Sequence, residues 1–522
     1  MANRVVKMAF FRKVIMTVDK IVELQQLAKM VADARRQGRR VIYCHGVFDL
    51  LHIGHIRYFE QARAMGDILV VTLTPDRFVD KGPHRPAFTE TLRAEAIASL
   101  SCVDYVAINA WPTAEETLRL LRPDVYVKGA EFKNLQSDMT GKIAREEKIA
   151  RDLGSRLAFT DDIVFSSTSL INRFLSDYPQ EVAEYLDLFR NRHPPDDVLA
   201  VIDRMATLKV LVIGDVIVDE YVYCEAIGKS SKDPVLALKY LSEDRFAGGV
   251  LAVANHVANF ANQVELISVL GNRNHYEPFI RAGLNKKISP QFFTVDGIPT
   301  VTKRRILDGY SLNKLIEIYD LDERELPPAV SEAICAAIRE RAAKVDVVIV
   351  SDFGHGAIND QIIKTLCEAA PFLAINTQAN AGNRGFHTIS RYPRADYACI
   401  AEHEMRLDAR DAHGELRPLL EQTRQRLKAR YIIVTRGQRG CLVSGAGDEF
   451  AAVPAFARKV VDRVGAGDAF LAITALAAAQ GAPGEMMGFI GNVVGAEAVE
   501  IVGNDKSIDK LKIKKCIVSL LK

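Results

Sequence analysis

The chain has 522 residues, 48% hydrophobic and 26% charged, a balance that excludes a disordered or fibrous protein and a length that favours two domains over one core. Lysine plus arginine number 68 against 66 acidic residues, a net charge of +2, so no global field argues for nucleic acid or an anionic membrane and any anion site must be local. Eight cysteines (Cys44, Cys102, Cys224, Cys335, Cys367, Cys399, Cys441, Cys516) form no C-x-x-C pair, which argues against zinc or a disulfide framework and for a reducing, cytoplasmic setting.

Residues 1–19 mix Arg4, Lys7, Arg12 and Lys13 with short apolar runs and do not read as a signal peptide. No apolar stretch approaches the ~20 residues that span a bilayer; Ala469 to Ala479 is shorter, is opened by an acid, and reads as a buried helix. From Arg39 onward β-rich runs (Arg40–Cys44, Ile68–Leu73, Tyr105–Ile108, Val125–Lys128, Arg156–Thr160) alternate with amphipathic stretches such as Ile53–Ala64, Glu90–Leu100 and Ala114–Leu121. That rhythm predicts an α/β domain over 1–175 with a Rossmann-like parallel sheet and its chemistry at the strands' carboxyl ends. The charged, proline-bearing stretch 176–206 reads as a helical linker. A second α/β domain is predicted over 207–522, with strands near Lys209–Ile213, Glu265–Val269, Val347–Val350, Ala374–Asn376 and Tyr431–Thr435. Within it Val301–Leu307 and Ser311–Ile318 flank Asp308-Gly309, which predicts a tight hairpin and a small β lid.

The first strand runs into Gly46-Val47-Phe48-Asp49-Leu50-Leu51-His52-Ile53-Gly54-His55. Two imidazoles with a glycine between them, at a helix N-terminus, offer donors and the positive dipole end to a triphosphate and to the charge that develops as pyrophosphate leaves. H-x-x-H alone equally describes helix-start residues or two metal ligands one turn apart, but no third ligand lies nearby. Further cations follow in Lys81-Gly82-Pro83-His84-Arg85-Pro86, Arg93 and Lys128-Gly129, and Ser166, Ser167 and Thr168 open a later helix as hydroxyl caps. The whole string resembles the signature of the HIGH-type nucleotidyltransferases. From about Lys20 to Phe174 the chain is similar, more narrowly, to the nucleotidyltransferase half of bifunctional heptose kinase/adenylyltransferases, with Cys102–Val106 and Arg122–Gly129 adding to the match. The resemblance implies attack of a sugar 1-phosphate on the α-phosphate of a nucleoside triphosphate (ATP, with CTP and GTP open) with Mg²⁺. It implies His52 and His55 as catalytic groups, nucleotide contacts from Gly46, Phe48 and Asp49, and phosphate contacts from Gly54, Lys81, Arg85, Lys128, Ser166, Ser167 and Thr168.

Near the C-terminus Val460-Val461-Asp462-Arg463-Val464-Gly465-Ala466-Gly467-Asp468 runs into the alanine-rich helix. Glycines at a helix start expose amides that hold a phosphoryl group, and a neighbouring carboxylate accepts a hydroxyl proton; a plain capping turn with a first-turn acid is the simpler alternative. The string resembles the G-A-G-D signature of ribokinase/PfkB-type sugar kinases, and the likeness extends over the rest of the domain. It implies Asp468 as base, an anion hole at Gly465, Ala466 and Gly467, and nucleotide contacts from Thr435 and Gly437. It also implies sugar contacts from Asp215, Asp219, Gly248 and Gly249 and an indirect metal role for Glu404, while Lys303 and Arg305 on the predicted lid are placed to meet the phosphate of a sugar substrate, solvated surface charges being the simpler alternative. Ala252, His355, Asn376, Gln378 and Ala401 depart from that family's pattern, and the kinase half here follows the transferase half instead of preceding it. The expectation is a bifunctional enzyme of nucleotide-sugar synthesis acting on a heptose derivative, with ATP and Mg²⁺ as cofactors, no nucleic-acid or membrane partner, and self-association through the kinase half. The alternative is an active transferase fused to a kinase-like binding module.

Overall fold

The computed structural model describes residues 17–79, 85–132, 141–161, 178–383, 385–445 and 449–522. They fall into two compact units, Met1–Asp177 and Tyr178–Leu521.

The first unit is built on β1 (Val41–Gly46), β2 (Ile68–Leu73), β3 (Tyr105–Ile108), β4 (Val125–Lys128) and β5 (Arg156–Phe159), in the order β3-β2-β1-β4-β5 and all parallel. Strands covered on both faces must be apolar at every position, and β2 is buried throughout. Alternate residues serve opposite cores: Ile42, Cys44, Leu69 and Val71 on one side, Val41, Tyr43, Ile68 and Val70 on the other. The order reverses around β1, so the turn from β1 into the helix Ile53–Arg63 lies where open parallel sheets place their ligands.

The second unit carries a sheet of β6 (Lys209–Gly214), β9 (Gln263–Gly271), β10 (Ile288–Val295), β13 (Val347–Asp352), β14 (Leu373–Thr377), β15 (Tyr397–Ala401) and β16 (Tyr431–Thr435), all parallel, extended by antiparallel β17 (Cys441–Gly445) and β18 (Phe450–Val453). A separate sheet, in the order β12-β11-β7-β8, forms the lid from β7 (Val216–Lys229), β8 (Leu236–Gly249), β11 (Thr302–Asp308) and β12 (Lys314–Asp320). The lid is larger than the hairpin the sequence suggested, and β7 and β8 had no counterpart in that reading. The hairpin turn also differs: it spans Gly309–Asn313, the left-handed residue is Leu312 (φ 58°), and the Asp308 carboxylate receives the Ser311 N–H at 2.7 Å. The alanine-rich helix Ala466–Ala479 is buried from Ala469 to Ala478.

Residues 176–206, read from the sequence as a helical linker, hold the helices Gln180–Arg192 and Pro195–Arg204. Val182, Phe189, Val198, Val201 and Ile202 join the core of the second unit, and Phe189 stacks on Phe489 at 4.2 Å between ring centres. Burying their apolar stripe in that core is what makes these helices part of the second unit.

Candidate functional site

At the carboxyl end of β1, Phe48 takes a left-handed φ of 48° and folds its ring back over the strand end, where a Cβ on Gly46 would lie 2.9 Å from it. Phe48 meets His55 edge-on at 5.3 Å and packs on Phe59 at 5.0 Å. His52 caps the following helix: its Nδ1 accepts the Gly54 N–H at 3.1 Å. An accepting Nδ1 carries no hydrogen, so Nε2 of the neutral ring is the donor, and burial lowers the His52 pKa, which favours that neutral form. The two imidazoles stack with ring centres 3.9 Å apart and planes at 24°. The corner therefore combines imidazole edges with the positive end of a helix, suited to an anion whose charge grows during reaction.

Other residues expected here hold the corner together. Asp49 is buried and accepts from Arg85 at 3.0 Å and from the Ala87 N–H at 2.6 Å. Arg85, itself buried, is thus committed to Asp49 and pins the loop after β2 against the β1 turn. Arg93 reinforces this by donating to the carbonyls of Val47 and Thr74 and, at 2.5 Å, to Asp76. Lys128 is buried against Glu146 at 2.8 Å, and Glu146 also accepts from the Tyr126 hydroxyl and the Ala114 N–H. Burial alone would raise the Glu146 pKa, but the charge and hydrogen bond of Lys128, with the Tyr126 hydroxyl, bring it down to about 2. Lys81, Ser166, Ser167 and Thr168 lie outside the described residues. His45, which sequence reasoning passed over, sits on β1 between the Thr72 hydroxyl (2.8 Å) and the Thr74 hydroxyl (3.3 Å), and burial holds its pKa down at about 4.

The second unit encloses a cavity of about 330 Å³ between the lid and the carboxyl ends of the main strands. Asp219, Gly249, Lys303 and Arg305 line it from the lid side, and Glu404, Thr435, Gly465, Gly467 and Asp468 from the sheet side. Asn376, Gln378 and Ala401 line it too. Gly465 caps the helix Ala466–Ala479 at φ 83°, where a Cβ would fall 2.1 Å from the Asn504 side-chain oxygen. Gly467, one residue into the helix, faces open space. Only glycine at the first position allows this turn, and the second leaves the first-turn amides approachable.

Burial, and then the Asp219 carboxylate, push the Asp468 pKa up to about 7. Asp219 is paired with Arg305, which also meets Glu317 at 2.7 Å. Burial lowers the Lys303 pKa; its ammonium lies 5.1 Å from the centre of the Tyr319 ring and 5.5 Å from that of Phe353, and among the described residues it has no ion pair. A carboxylate poised near neutrality beside two buried cations has the chemistry suited to accepting a proton next to an anion.

Several expected residues stand apart from the cavity lining. Each Asp215 oxygen accepts a backbone amide of the loop after β13, Phe353 at 2.8 Å and Ala357 at 2.9 Å, so this carboxylate shapes that loop. Gly248 gives Asp219 room, since a Cβ there would lie 2.1 Å from its carboxylate. Gly437 turns the chain after β16, Ala466 is the first residue of the helix, and Ala252 is buried in the helix Val250–Ala258. His355 is half-buried beside Phe353, its pKa lowered to about 4 by burial. Glu404 accepts the Ala379 and Ala401 N–H groups at 3.0 and 2.7 Å, one on each oxygen, leaving lone pairs on both. Mg²⁺ commonly binds through phosphate oxygens and water with one or two carboxylates, and a carboxylate so disposed fits a water-mediated role. Sequence reasoning missed Asp462, which accepts the Tyr221 hydroxyl and the Lys314 ammonium, each at 2.6 Å, and so latches two lid strands to the loop leading into Gly465.

Residues 207–511 match the family described as pfkB family carbohydrate kinase, and residues 43–173 the one described as cytidylyltransferase-like. "Bifunctional protein HldE" of Citrifermentans bemidjiense is 39% identical over 162 residues, 30% of this chain and 32% of that protein. The protein of the same name from Geobacter sulfurreducens is 36% identical over 167 residues, 31% of this chain and 32% of that protein. The chain thus spans about a third of the length of these curated relatives. Among solved structures, phosphofructokinase-2 from Escherichia coli aligns with a TM-score of 0.49 at 15% identity, covering 61% of this chain and all of that one.

Proposed function

Because the chain belongs to the pfkB family of carbohydrate kinases, we propose that its second unit transfers the γ-phosphoryl group of ATP to a hydroxyl of a sugar or sugar phosphate. The hydroxyl oxygen attacks γ-phosphorus, the bond to the β-phosphate oxygen breaks, ADP leaves, and Asp468 takes the hydroxyl proton. The amides at Gly465–Gly467 receive the phosphoryl oxygens, Lys303 and Arg305 supply positive charge, and Thr435 lies on the nucleotide side. Mg²⁺, when bound, neutralises charge on the β- and γ-phosphates. The observation that carries this reading is the convergence of Asp468, Gly465, Gly467, Lys303 and Arg305 on one cavity.

The first unit, on the same proposal, joins a nucleoside triphosphate to a sugar 1-phosphate: a phosphate oxygen of the sugar attacks the α-phosphate and pyrophosphate leaves. The His52 and His55 edges and the helix end at Gly54 stabilise the departing charge. Likeness to the HldE proteins favours ATP as the nucleotide and a heptose derivative as the sugar. Eight free cysteines support a reducing cytoplasm, and no helix among the described residues is long and apolar enough to cross a membrane. Leu236, Tyr240, Leu241, Ile316 and Ile318 are exposed on the lid strands, which supports pairing of two kinase units through their lids.

A second reading, in which the kinase unit binds a sugar phosphate without turning it over, draws support from Asn376, Gln378 and Ala401 in the cavity wall, where neutral groups stand beside the reacting centre. ADP release by the whole chain across a panel of heptose, hexose and pentose phosphates separates the two. Turnover with at least one is expected, and binding without ADP release favours the second reading.

A further inference from the structure

At the opposite end of the first sheet from His52 and His55, two helix ends and two strand starts enclose a groove of about 730 Å³. The helix Leu24–Arg36 stops there, Gly38 turns the chain at φ 75°, and Arg39-Arg40 lead into β1. Beside it the helix Glu115–Leu121 ends at Arg122, left-handed at φ 47°, just before β4, the parallel neighbour of β1. Arg35, Arg36, Arg39, Arg40 and Arg122 all face the groove, whose apolar wall is Ala28, Ala32, Leu120 and Leu121.

The carboxylates nearby are largely committed. Asp124 accepts the Val41 N–H at 2.7 Å and meets Arg35 at 3.6 Å; Asp67 accepts the Arg40 N–H at 2.7 Å; Asp33 pairs with Arg36. Among the described residues the guanidinium groups of Arg39, Arg40 and Arg122 have neither an ion pair nor a hydrogen bond. Each helix C-terminus carries a partial charge of roughly −0.5, so two such ends together with the Asp67 carboxylate call for about two compensating cations, fewer than these three. Guanidinium forks match phosphate oxygens two at a time, and a concavity of this size beside an apolar wall suits a nucleotide-sized molecule better than an extended chain.

We propose that this groove binds a small, multiply charged phosphate compound of nucleotide size, at a site separate from both catalytic corners. The assignment stands on the groove alone and rests on neither proposed activity. Its test is calorimetric titration of the full chain with tripolyphosphate and with ATP, in the wild type and in the double variant Arg39→Gln/Arg122→Gln, which leaves the Arg35–Asp124 pair in place. Any binding of these probes at the His52 or Asp468 corner is common to both proteins, so the variant should lose one class of sites or show it weakened at least tenfold. A conservative pair, Arg39→Lys/Arg122→Lys, should fall between, because it keeps charge and loses the forks. Superimposable isotherms for wild type and Gln variant would overturn the assignment. So would an unchanged tripolyphosphate isotherm together with loss of binding to a single-stranded RNA oligonucleotide or to polyglutamate, which would mark a macromolecular surface instead.

Discussion

Asp468→Asn isolates the proposed base with the least disturbance, since the amide has nearly the shape of the carboxylate. A positioned general base contributes about 10²- to 10⁴-fold to turnover, which corresponds to roughly 3–5 kcal/mol of transition-state stabilisation. Phosphoryl transfer to the sugar should fall by that factor with the substrate KM changed little, because the amides at Gly465–Gly467 and the cations Lys303 and Arg305 remain. The pH behaviour adds an independent check. With a folded pKa of about 7, Asp468 is the acceptor only when ionised, so kcat/KM should rise through neutral pH in the wild type and lose that limb in the variant. The linkage sign follows from the same shift: the folded pKa lies above the unfolded one, so Asp468 lowers stability as pH rises from about 4 to 7. The Asn variant, which lacks this titration, should gain stability relative to wild type as pH rises from about 4 to 7 and keep that gain at pH 8, by thermal unfolding. Coupled ADP release measures turnover, and pyrophosphate release in the same preparation serves as the internal control. A variant that lost stability and both activities together would refute the assignment of Asp468 as a base.

Three further outcomes are expected. His52→Ala and His55→Ala should each depress kcat for pyrophosphate release more than they raise KM for the nucleotide, as groups serving the transition state do; a change in KM alone would reduce them to ground-state contacts. Arg85→Ala leaves the buried Asp49 carboxylate without its cation and should cost about 3–5 kcal/mol in urea unfolding of the first unit, partly restored by adding Asp49→Asn; a cost below about 1 kcal/mol would mean the pair does not hold that loop. Lys314→Ala removes one strand of the lid latch on Asp462 and should lower kinase kcat/KM about fivefold, close to 1 kcal/mol, without moving its pH profile; an unchanged kcat/KM would show the latch to be idle.

Much of this architecture was legible because each main strand is a short apolar run closed by turn chemistry: Tyr105–Ile108, Val125–Lys128 and Tyr431–Thr435 form strands at the expected bounds. The two glycine-opened corners were also visible, since glycine and histidine there follow local backbone demands. The lid strand β8 escaped notice because Leu236–Gly249 is mostly exposed and carries no clear alternation. Partnerships across long sequence distances were equally hidden. Nothing local in Asp49 or Arg85 announces that 36 positions apart they neutralise each other, or that Lys314 reaches Asp462 across 148. The helices of 176–206 read as a linker because prolines and charges dominate them, whereas Phe189 and Ile202 find their burial only against residues far along the chain.

On the proposed function, the Asp468 corner performs phosphoryl transfer and does not merely bind sugar. The most direct test is incubation of the whole chain with γ-labelled ATP and a panel of heptose, hexose and pentose phosphates, followed by separation of the sugars. Label carried by at least one sugar, and lost in Asp468→Asn, is the predicted result; saturable sugar binding with all label remaining on ATP or in free phosphate would contradict it.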